Sequence, residues 1–403
     1  MPALVSSTLP DAITHKLSDY VGKHTPHTFP ACDLVVLHRG QQVLQGAWGT
    51  CEGIAPQTDR HWDIASLTKL FTTTCVLSLC SDGALDLHSA VGDWLPEFVR
   101  DPERPVEPGQ NPHTLERLPV PAPRQGLRVD ARQVTVRQLL THTSGLQDWR
   151  AIFLALAAAA PAPRRGVGST LSPVSRVQEA VNWIGQCGFQ DAPGHSIAYS
   201  DLGFILLGEV ASRCMHKPLD QCIAETVLTP LSLTHTGFNP SPDLPALMPT
   251  ELDLRWRGRR VWGEVHDENA CAMGGVAGHA GLFSTAGDVA RLGQAWLEGE
   301  NGALSLRPAL AHEAVQVQAE NATQRRGLGF MIKAPTQASC GEFFSPHSFG
   351  HTGYTGTSLW VDPQAQLVVS CLSNAVFGGR DMKMQAFRQG LHDLIWQSLA
   401  SPY

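Results

Sequence analysis

A serine and a lysine three residues apart, Ser66 and Lys69, open an apolar stretch over residues 70–79. The stretch has the length and composition of a buried helix, and residues three apart lie on one helix face, one turn from each other. The spacing therefore predicts that the lysine reaches the serine hydroxyl. A serine becomes a strong nucleophile when a neighbouring base takes its proton. A lysine whose pKa is lowered by burial or a nearby cation can be that base.

Two further motifs follow along the chain. Tyr199-Ser200-Asp201 precedes an apolar helical run over residues 202–210, and His351-Thr352-Gly353 begins a predicted strand. The order of the three motifs resembles that of serine β-lactamases and penicillin-binding proteins. The tyrosine of the second motif is similar to that of the class C β-lactamase branch, which includes esterases and D-alanyl-D-alanine peptidases. Residues 139–146 and 278–285 also resemble segments of that branch.

This resemblance implies an α+β fold, in which an antiparallel β-sheet is flanked by helices and carries an inserted all-α lobe. Residues 1–95 and 251–403 would form the sheet lobe, residues 96–250 the mainly helical lobe, and the site would lie between the two. Hydrophobic periodicity agrees with this layout. It predicts helices over residues 11–21, 70–79, 134–141, 174–187, 202–216 and 384–398. It predicts strands over residues 33–38, 42–49, 255–257, 259–264, 329–332, 348–351, 357–362 and 366–374, with irregular segments over 101–124 and 161–173.

Roles follow for the motif residues from the same resemblance. Ser66 would be the nucleophile, and Lys69 would deprotonate it or orient the network. Tyr199 would act as general base or acid, with the pKa of its phenol lowered by cationic neighbours. The backbone N–H groups of Ser66 and Tyr354 would form the oxyanion hole, beside the close approach that Gly353 allows.

Two positions depart from the family pattern. Asp201 stands where an asparagine is usual, so the site loses an amide donor and gains a negative charge that could stabilise a protonated Lys69. The alternative for Asp201 is a helix N-cap. His351 replaces the common lysine and is mostly neutral near pH 7. Four residues are predicted to bind substrate: Asp201, His351, Thr352 and Gly353. The replacements at Asp201 and His351 are expected to disfavour a free carboxylate near the scissile bond.

Three residues of a further segment, His266, Asp267 and Asn269, are predicted to line the cleft and contact substrate. Their spacing with His279 matches no common zinc pattern, so hydrogen bonds that stabilise loops are expected rather than a metal. A basic cluster over residues 255–260 is predicted to be an exposed hairpin that turns at Gly258, with ligand recognition as the alternative. No cofactor is expected.

Length, charge and composition limit the size of the core, the class of partner and the location of the protein. The 403 residues exceed the usual size of a single core, and the net charge of −7 argues against a nucleic-acid partner. No apolar stretch is long enough to span a membrane. The first residues lack a basic segment followed by an apolar one, so a cytoplasmic location is expected. The ten cysteines are scattered singly, which predicts buried free thiols.

These features together predict a serine hydrolase that acts through an acyl-enzyme on a small ester, amide or D-amino-acid peptide. Esterase and D-alanyl-D-alanine peptidase activities remain open, and weak β-lactamase activity is compatible with the motifs. The alternative is a penicillin-recognising binding or sensor protein that is acylated without efficient turnover. The partner is in each case a small molecule, and the oligomeric state is not readable from the sequence.

Overall fold

A nine-stranded antiparallel sheet forms the centre of the computed structural model, which describes residues 3–157, 173–299, 302–380 and 383–399. The order of its strands is β1-β3-β2-β16-β15-β14-β13-β12-β11. These strands come from both ends of the chain: β1 (Ala3–Ser7), β2 (Cys32–His38), β3 (Gln41–Trp48), β11 (Ala319–Glu320), β12 (Arg325–Arg326), β13 (Met331–Ile332), β14 (Phe349–Thr352), β15 (Ser358–Asp362) and β16 (Leu367–Ser373). The α+β class predicted from the sequence is confirmed.

Helices cover both faces of this sheet. In β2, Leu34 and Val36 face a core that includes Leu17 of one helix and Phe387 of another, whereas Val35 belongs to the core on the opposite face. Successive strand residues point to opposite faces, so a strand covered on both sides is apolar throughout. The helices in these layers are α1 (Asp11–His24) and α12 (Met384–Leu399) on one face, and α10 (Ala286–Glu298) on the other.

The middle of the chain is mainly helical. It holds α2 (Thr68–Ser81), α3 (Val91–Trp94), α4 (Val136–Leu140), α5 (Ile152–Ala157), α6 (Pro173–Ile184), α7 (Asp201–Met215) and α8 (Leu219–Ile223). Two later helices are α9 (Glu268–Ala272) and α11 (Pro308–Ala314). All residues of α2 except the last are buried, because the helix packs against α7, α8 and α11. A helix that is apolar on all sides is suited to such a place.

Short strands complete the fold. They are β4 (Trp62–Asp63), β5 (Glu103–Pro105), β6 (Arg128–Asp130), β7 (Gly237–Phe238), β8 (Leu252–Asp253), β9 (Arg259–Arg260) and β10 (Leu282–Ser284). The pairing of β4 with β10 brings the start of the Ser66 motif beside the segment that contains His279. The division into lobes at residues 95 and 250 stays a prediction.

Some local predictions were wrong. Residues 255–257 form a turn rather than a strand, because the hairpin pairs β8 with β9 around Gly258. The basic cluster is not simply exposed, since the Arg257 side chain is fully buried against Asp253. The strand β1 and the helix α10 were not predicted. Most of the predicted irregular segment over 161–173 lies outside the described residues.

Two other sequence predictions concern the cysteines and the membrane. All ten cysteines are free thiols; nine are buried and Cys214 is partly exposed, which confirms that prediction. Among the described helices, none combines the length and hydrophobicity that a membrane crossing requires.

Candidate active site

The turn that carries Ser66 is held in an unusual conformation. Ala65, directly before it, has a φ of 47°, in the left-handed region that costs an L-residue about 1–2 kcal/mol. The Ala65 N–H donates to Oδ1 of Asp63 at 2.8 Å, and Oδ2 of Asp63 accepts from the backbone N–H of His266 at 2.6 Å. A buried carboxylate thus fixes the turn, and strain over-determined by its surroundings is typical of functional sites.

The third motif is clamped onto the same turn. The Thr355 hydroxyl donates to the carbonyl of Asp63 at 2.8 Å, and the Thr357 hydroxyl donates to the carbonyl of Ile64 at 3.0 Å. A Cβ at Gly353 would lie 2.7 Å from the Ile64 carbonyl oxygen and 2.0 Å from the Thr357 hydroxyl. Because no side chain fits there, glycine at this position lets the strand end approach the Ser66 turn.

Lys69 lies at the centre of the site. Its Nζ is 3.0 Å from the Ser66 Oγ, 3.0 Å from the carbonyl of His279 and 2.7 Å from Oδ1 of Asp201, and its side chain is fully buried. Burial alone lowers the pKa of Lys69, but Asp201 and Tyr199 outweigh it and the pKa is raised above the ordinary value. The pKa is therefore not lowered as a base at this position would require, and the ammonium form is favoured, in agreement with the stabilising charge expected from Asp201.

Tyr199 faces the same lysine. The Lys69 Nζ lies 4.9 Å from the centre of the Tyr199 ring. Burial raises the pKa of the Tyr199 phenol, and the opposing effects of Lys69 and of the hydrogen bond with Ser66 do not compensate for it. The lowered phenol pKa expected from the cationic neighbours is therefore also wrong, because desolvation of the phenolate is the larger effect.

The second motif is positioned by a histidine and a serine. The N–H of Ser200 donates to Nδ1 of His142 at 3.0 Å, and the His142 ring lies 4.6 Å from that of Tyr199. The Ser200 hydroxyl accepts from the Gly203 N–H, so Ser200 is the N-cap of α7 and Asp201 is its first residue. The N-cap alternative for Asp201 is therefore wrong, and its carboxylate is directed to Lys69 instead.

His351 holds a single tautomer. Its Nδ1 lies 2.8 Å from the Thr352 carbonyl, which can only accept, so Nδ1 carries the proton and Nε2 is left as an acceptor. Burial, Lys69 and Arg326 together hold the pKa of His351 well below its ordinary value. Nε2 is buried and has no hydrogen-bond partner among the described residues. The ring is thus a neutral acceptor on the cleft wall, 5.8 Å from the ring of Tyr199.

Three arginines line the cleft that were not predicted, Arg326, Arg380 and Arg388, and Arg326 lies beside the motif residues. The Arg326 guanidinium lies 5.3 Å from the centre of the Tyr199 ring, on the strand β12, and the residue is 7% exposed. Alternation along a strand predicts that one of Arg325 and Arg326 points away from solvent. No feature of the sequence indicates which of them does so, or that the cleft lies there.

Two of the three residues that were predicted to line the cleft after Val265 do so. His266 and Asp267 line the cleft, where the His266 ring is 2.8 Å from Glu251 and stacks on Tyr354. Asp267 lies 2.8 Å from Nε2 of His279; although burial raises the pKa of Asp267, this histidine holds it well below its ordinary value.

Asn269 does not line the cleft, so that prediction was wrong. It is fully buried. Its side-chain oxygen accepts a hydrogen bond from the N–H of Phe153, and its side-chain nitrogen donates to the carbonyl of Arg150.

The site opens into a cleft of about 680 Å³. One wall presents the motif residues Ser66, Tyr199, Asp201, His351 and Thr352, together with Gly353, Tyr354 and Arg326. The lining also includes residues of the loops around Gln110 and Trp149. Within the described ranges, no three His, Cys, Asp or Glu side chains are grouped so that they could hold a metal ion. The arrangement places a hydroxyl, a buried cation and a phenol at one point of the wall of a cleft that fits a small molecule.

Known proteins resemble this chain over most of its length. A protein of Escherichia coli (strain K12) named "Putative D-alanyl-D-alanine carboxypeptidase" is 29% identical over 391 residues, which cover 89% of this chain and 82% of that protein. The structure of EstCE1, a hydrolase with promiscuous acyltransferase activity, has a TM-score of 0.69 at 20% identity, covering 96% and 99% of the two chains. A class C beta-lactamase has a TM-score of 0.68 at 16% identity, covering 97% and 98%.

The two solved structures show a shared fold at these identities. The model of the Beta-lactamase family matches residues 22–393, which include all three motifs. The chain therefore belongs to the beta-lactamase family and is a serine hydrolase of that family.

Proposed function

We propose that the chain cleaves a small ester, amide or D-amino-acid peptide through an acyl-enzyme formed on Ser66. The observation that carries the proposal is the 3.0 Å contact between the Ser66 hydroxyl and the buried Lys69 ammonium, on the wall of the cleft. Tyr199 and Asp201 converge on the same lysine. A serine hydroxyl, a cation and a phenol in this arrangement suit acyl transfer, in which a nucleophile must lose a proton and a leaving group must gain one.

The charge balance of the site favours Tyr199 as the group that moves the proton. Because Asp201 keeps Lys69 as an ammonium, the lysine stabilises the small fraction of Tyr199 that is phenolate. This phenolate accepts the Ser66 hydroxyl proton as Oγ bonds to the substrate carbonyl carbon. The carbonyl oxygen becomes an oxyanion, which the N–H groups of Ser66 and Tyr354 would stabilise.

The intermediate then collapses. The bond to the leaving group breaks, the leaving group takes the proton from the Tyr199 phenol, and the acyl group stays on Ser66. Water then adds to the acyl carbon and gives a proton to Tyr199. The bond to Ser66 breaks, the serine oxygen regains that proton, and an acid product leaves. Deacylation thus repeats the steps of acylation in reverse, with water in place of the leaving group, and uses Tyr199 and Ser66 a second time.

The substrate class is supported by the relatives. The Escherichia coli protein is named for D-alanyl-D-alanine carboxypeptidase activity and EstCE1 is a hydrolase with acyltransferase activity. Both activities transfer an acyl group from a leaving amine or alcohol. The cleft volume of about 680 Å³ is in the range of sites that bind small molecules.

The test is a side-by-side measurement of turnover of p-nitrophenyl esters, nitrocefin and a D-Ala-D-Ala peptide, with fluorophosphonate labelling followed by mass spectrometry. We expect one label per chain, on Ser66, and turnover of at least one substrate. Ser66→Ala should remove both. Ser78→Ala is the matched control, because Ser78 is buried in α2, the helix that follows the Ser66 turn, and does not line the cleft.

Two results would contradict the proposal. Retention of labelling and turnover in Ser66→Ala would show that another residue is the nucleophile. Stoichiometric acylation of Ser66 by nitrocefin, with no turnover of any substrate, would instead select the alternative, a penicillin-recognising protein that is acylated but does not hydrolyse the acyl group.

A further inference from the structure

The ammonium of Lys69 carries three N–H donors, and three acceptors lie around it. Its Nζ is 3.0 Å from the Ser66 Oγ, 2.7 Å from Oδ1 of Asp201 and 3.0 Å from the backbone carbonyl oxygen of His279. Loss of any one acceptor would leave a buried N–H without a partner, which disfavours the charged form. The position of the His279 carbonyl therefore bears directly on whether Lys69 stays protonated.

The side chain of His279 is tied to a carboxylate. Its Nε2 lies 2.8 Å from Oδ1 of Asp267, and the side chain is 1% exposed. Its Nδ1 is buried and has no hydrogen-bond partner among the described residues. The carboxylate thus holds the imidazole at one end, and packing holds the rest. Because the ring and the carbonyl belong to one residue, the bond to Asp267 also restrains the carbonyl that faces Lys69.

Asp267 is a suitable anchor because its own position is fixed. Its Oδ1 accepts from the backbone N–H of Ala270 at 2.7 Å, so Asp267 is the N-cap of α9. The preceding residue, His266, donates its N–H to Oδ2 of Asp63 at 2.6 Å, just before the turn that carries Ser66. Asp267 is therefore held on both sides, and the bond to it ties His279 to the framework of the site.

The residue before His279 is held in a different way. The carbonyl of Gly278 accepts from the Thr72 hydroxyl at 2.8 Å, and a Cβ on Gly278 would lie 2.1 Å from the carbonyl oxygen of Phe204. Gly278 is therefore fixed between α2 and α7 by its backbone. At His279 the side chain takes over this function, through its hydrogen bond to Asp267.

We propose that His279 and Asp267 act as a pair of positioning residues for the reaction. Asp267 fixes the ring of His279, and the ring fixes the backbone carbonyl that receives one N–H of Lys69. The proposal rests on the proposed function, in which the Lys69 ammonium stabilises the Tyr199 phenolate. It gives Asp267 a role other than the substrate contact expected from the sequence.

Two substitutions of His279 test the proposal. His279→Leu removes the bond to Asp267 and keeps an apolar side chain in the buried position. With a p-nitrophenyl ester its kcat should fall by about 10- to 100-fold and its KM should change by less than about twofold, since the pair acts on the reacting groups rather than on substrate binding. His279→Gln should recover most of the kcat, because its amide N–H can replace Nε2 as the donor to Asp267.

His392→Leu is the matched control. His392 is also a buried histidine, whose Nδ1 lies 2.6 Å from the carbonyl of Arg388 and whose Nε2 has no partner among the described residues. It belongs to α12 and does not line the cleft, so its kcat should stay close to that of wild type. Equal losses of kcat in the two leucine variants would overturn the proposal, since they would reflect a general loss of packing.

Asp267 provides a second comparison, because it lines the cleft and could contact substrate instead. If it anchors His279, Asp267→Ala should lower kcat by a similar factor. The double variant with His279→Leu should then lose little more than either single one, because both changes act through one carbonyl. A raised KM in Asp267→Ala, with losses that multiply in the double variant, would overturn the proposal and assign Asp267 to substrate binding.

A spectroscopic measurement separates this proposal from the proposed function. The chain has six lysines, so ¹³C labelling of lysine side chains gives few signals, and Lys69→Arg identifies that of Lys69. The pKa of Lys69 should fall by about one unit or more in His279→Leu and return in His279→Gln. These variants leave unchanged the other titratable groups that face Lys69, which are Asp201, Tyr199, His142 and His351.

The two possible failures are then distinct. An unchanged Lys69 pKa in His279→Leu would overturn the proposal, whatever the enzyme hydrolyses. A lowered Lys69 pKa in a protein whose wild type turns over no substrate would support the positioning pair and count against the proposed function.

Discussion

The Lys69 ammonium lies 2.7 Å from the Asp201 carboxylate, so the residue that departs from the family's usual asparagine directly contacts the lysine of the first motif. The lysine side chain is fully buried and that of the aspartate is 18% exposed. A buried ammonium without a carboxylate partner loses its proton readily, whereas one with such a partner keeps it. The pair therefore determines which of Lys69 and Tyr199 holds the proton that Ser66 must give up.

Replacement of Asp201 by asparagine should move the pH profile of the reaction. Without the carboxylate, burial is the largest influence on Lys69 and its pKa should fall. The rising limb of kcat/KM for a neutral ester should then move to lower pH by about one unit or more. Asp93→Asn is the control, because Asp93 is an exposed residue of α3 and does not line the cleft. An identical profile in wild type and Asp201→Asn would show that the ion pair does not set the proton distribution.

Wild-type activity should rise with pH across the neutral range. The pKa values of both Tyr199 and Lys69 lie above their ordinary values, so the form of the pair that can accept a proton is scarce at pH 7 and grows as pH increases. Below the relevant pKa this fraction grows by about tenfold for each pH unit. We expect kcat/KM for a neutral ester to follow that slope from about pH 7 to about pH 9. A plateau reached below pH 7 would contradict the raised pKa values.

His351 should keep one charge state over the range in which the enzyme is assayed. Its pKa is held well below the ordinary value by burial and by the cations Lys69 and Arg326, so the ring stays neutral at pH 6 as at pH 8. The ratio of kcat/KM for nitrocefin, which carries a carboxylate, to that for a neutral p-nitrophenyl ester should therefore change by less than about twofold between these pH values. A ratio that rises on acidification, and no longer does so in His351→Asn, would show that the ring is protonated after all.

Much of the fold was predictable because its periodicity is local. Strands β2 and β16 are mostly apolar, and α1 alternates apolar and polar residues at helical spacing. Their predicted bounds therefore differ from the observed ones by a few residues at most. The edge strand β1 escaped prediction because most of its residues are exposed and it lacks an apolar face. The start of α10 could have been predicted, because Thr285 is a typical N-cap residue. Its side chain accepts a hydrogen bond from the Asp288 N–H.

The site, like the fold, could be predicted from the sequence only in part. Ser66, Lys69 and Tyr199 could be located because their motifs have fixed spacing. The directions of the pKa shifts could not, because they depend on how deeply Tyr199 is buried and on the distance from Lys69 to Asp201, which tertiary packing decides. Arg326 was missed for the same reason, as its strand reaches the cleft only through pairing with β13. The cytoplasmic location stays a prediction.

The last prediction concerns the contact between Gly353 and the Ser66 turn. It separates the effect of this contact on the position of Ser66 from its effect on the stability of the fold. In Gly353→Ala the new methyl group would meet the Ile64 carbonyl at 2.7 Å and the Thr357 hydroxyl at 2.0 Å, so the strand end and the turn must move apart. We expect a loss of about 1–3 kcal/mol in the free energy of unfolding and a loss of about 100-fold in kcat/KM, since small displacements of a nucleophile are costly.

Gly22→Ala is the contrasting control for that variant. Gly22 lies in α1, and a Cβ there meets nothing within 4 Å, so the change should stabilise the helix by about 0.5–1 kcal/mol and leave activity as it is. Denaturant unfolding and ester turnover are measured on both variants at a temperature where each is folded. If folded Gly353→Ala keeps wild-type kcat/KM, the close approach of the strand to Ile64 does not position Ser66.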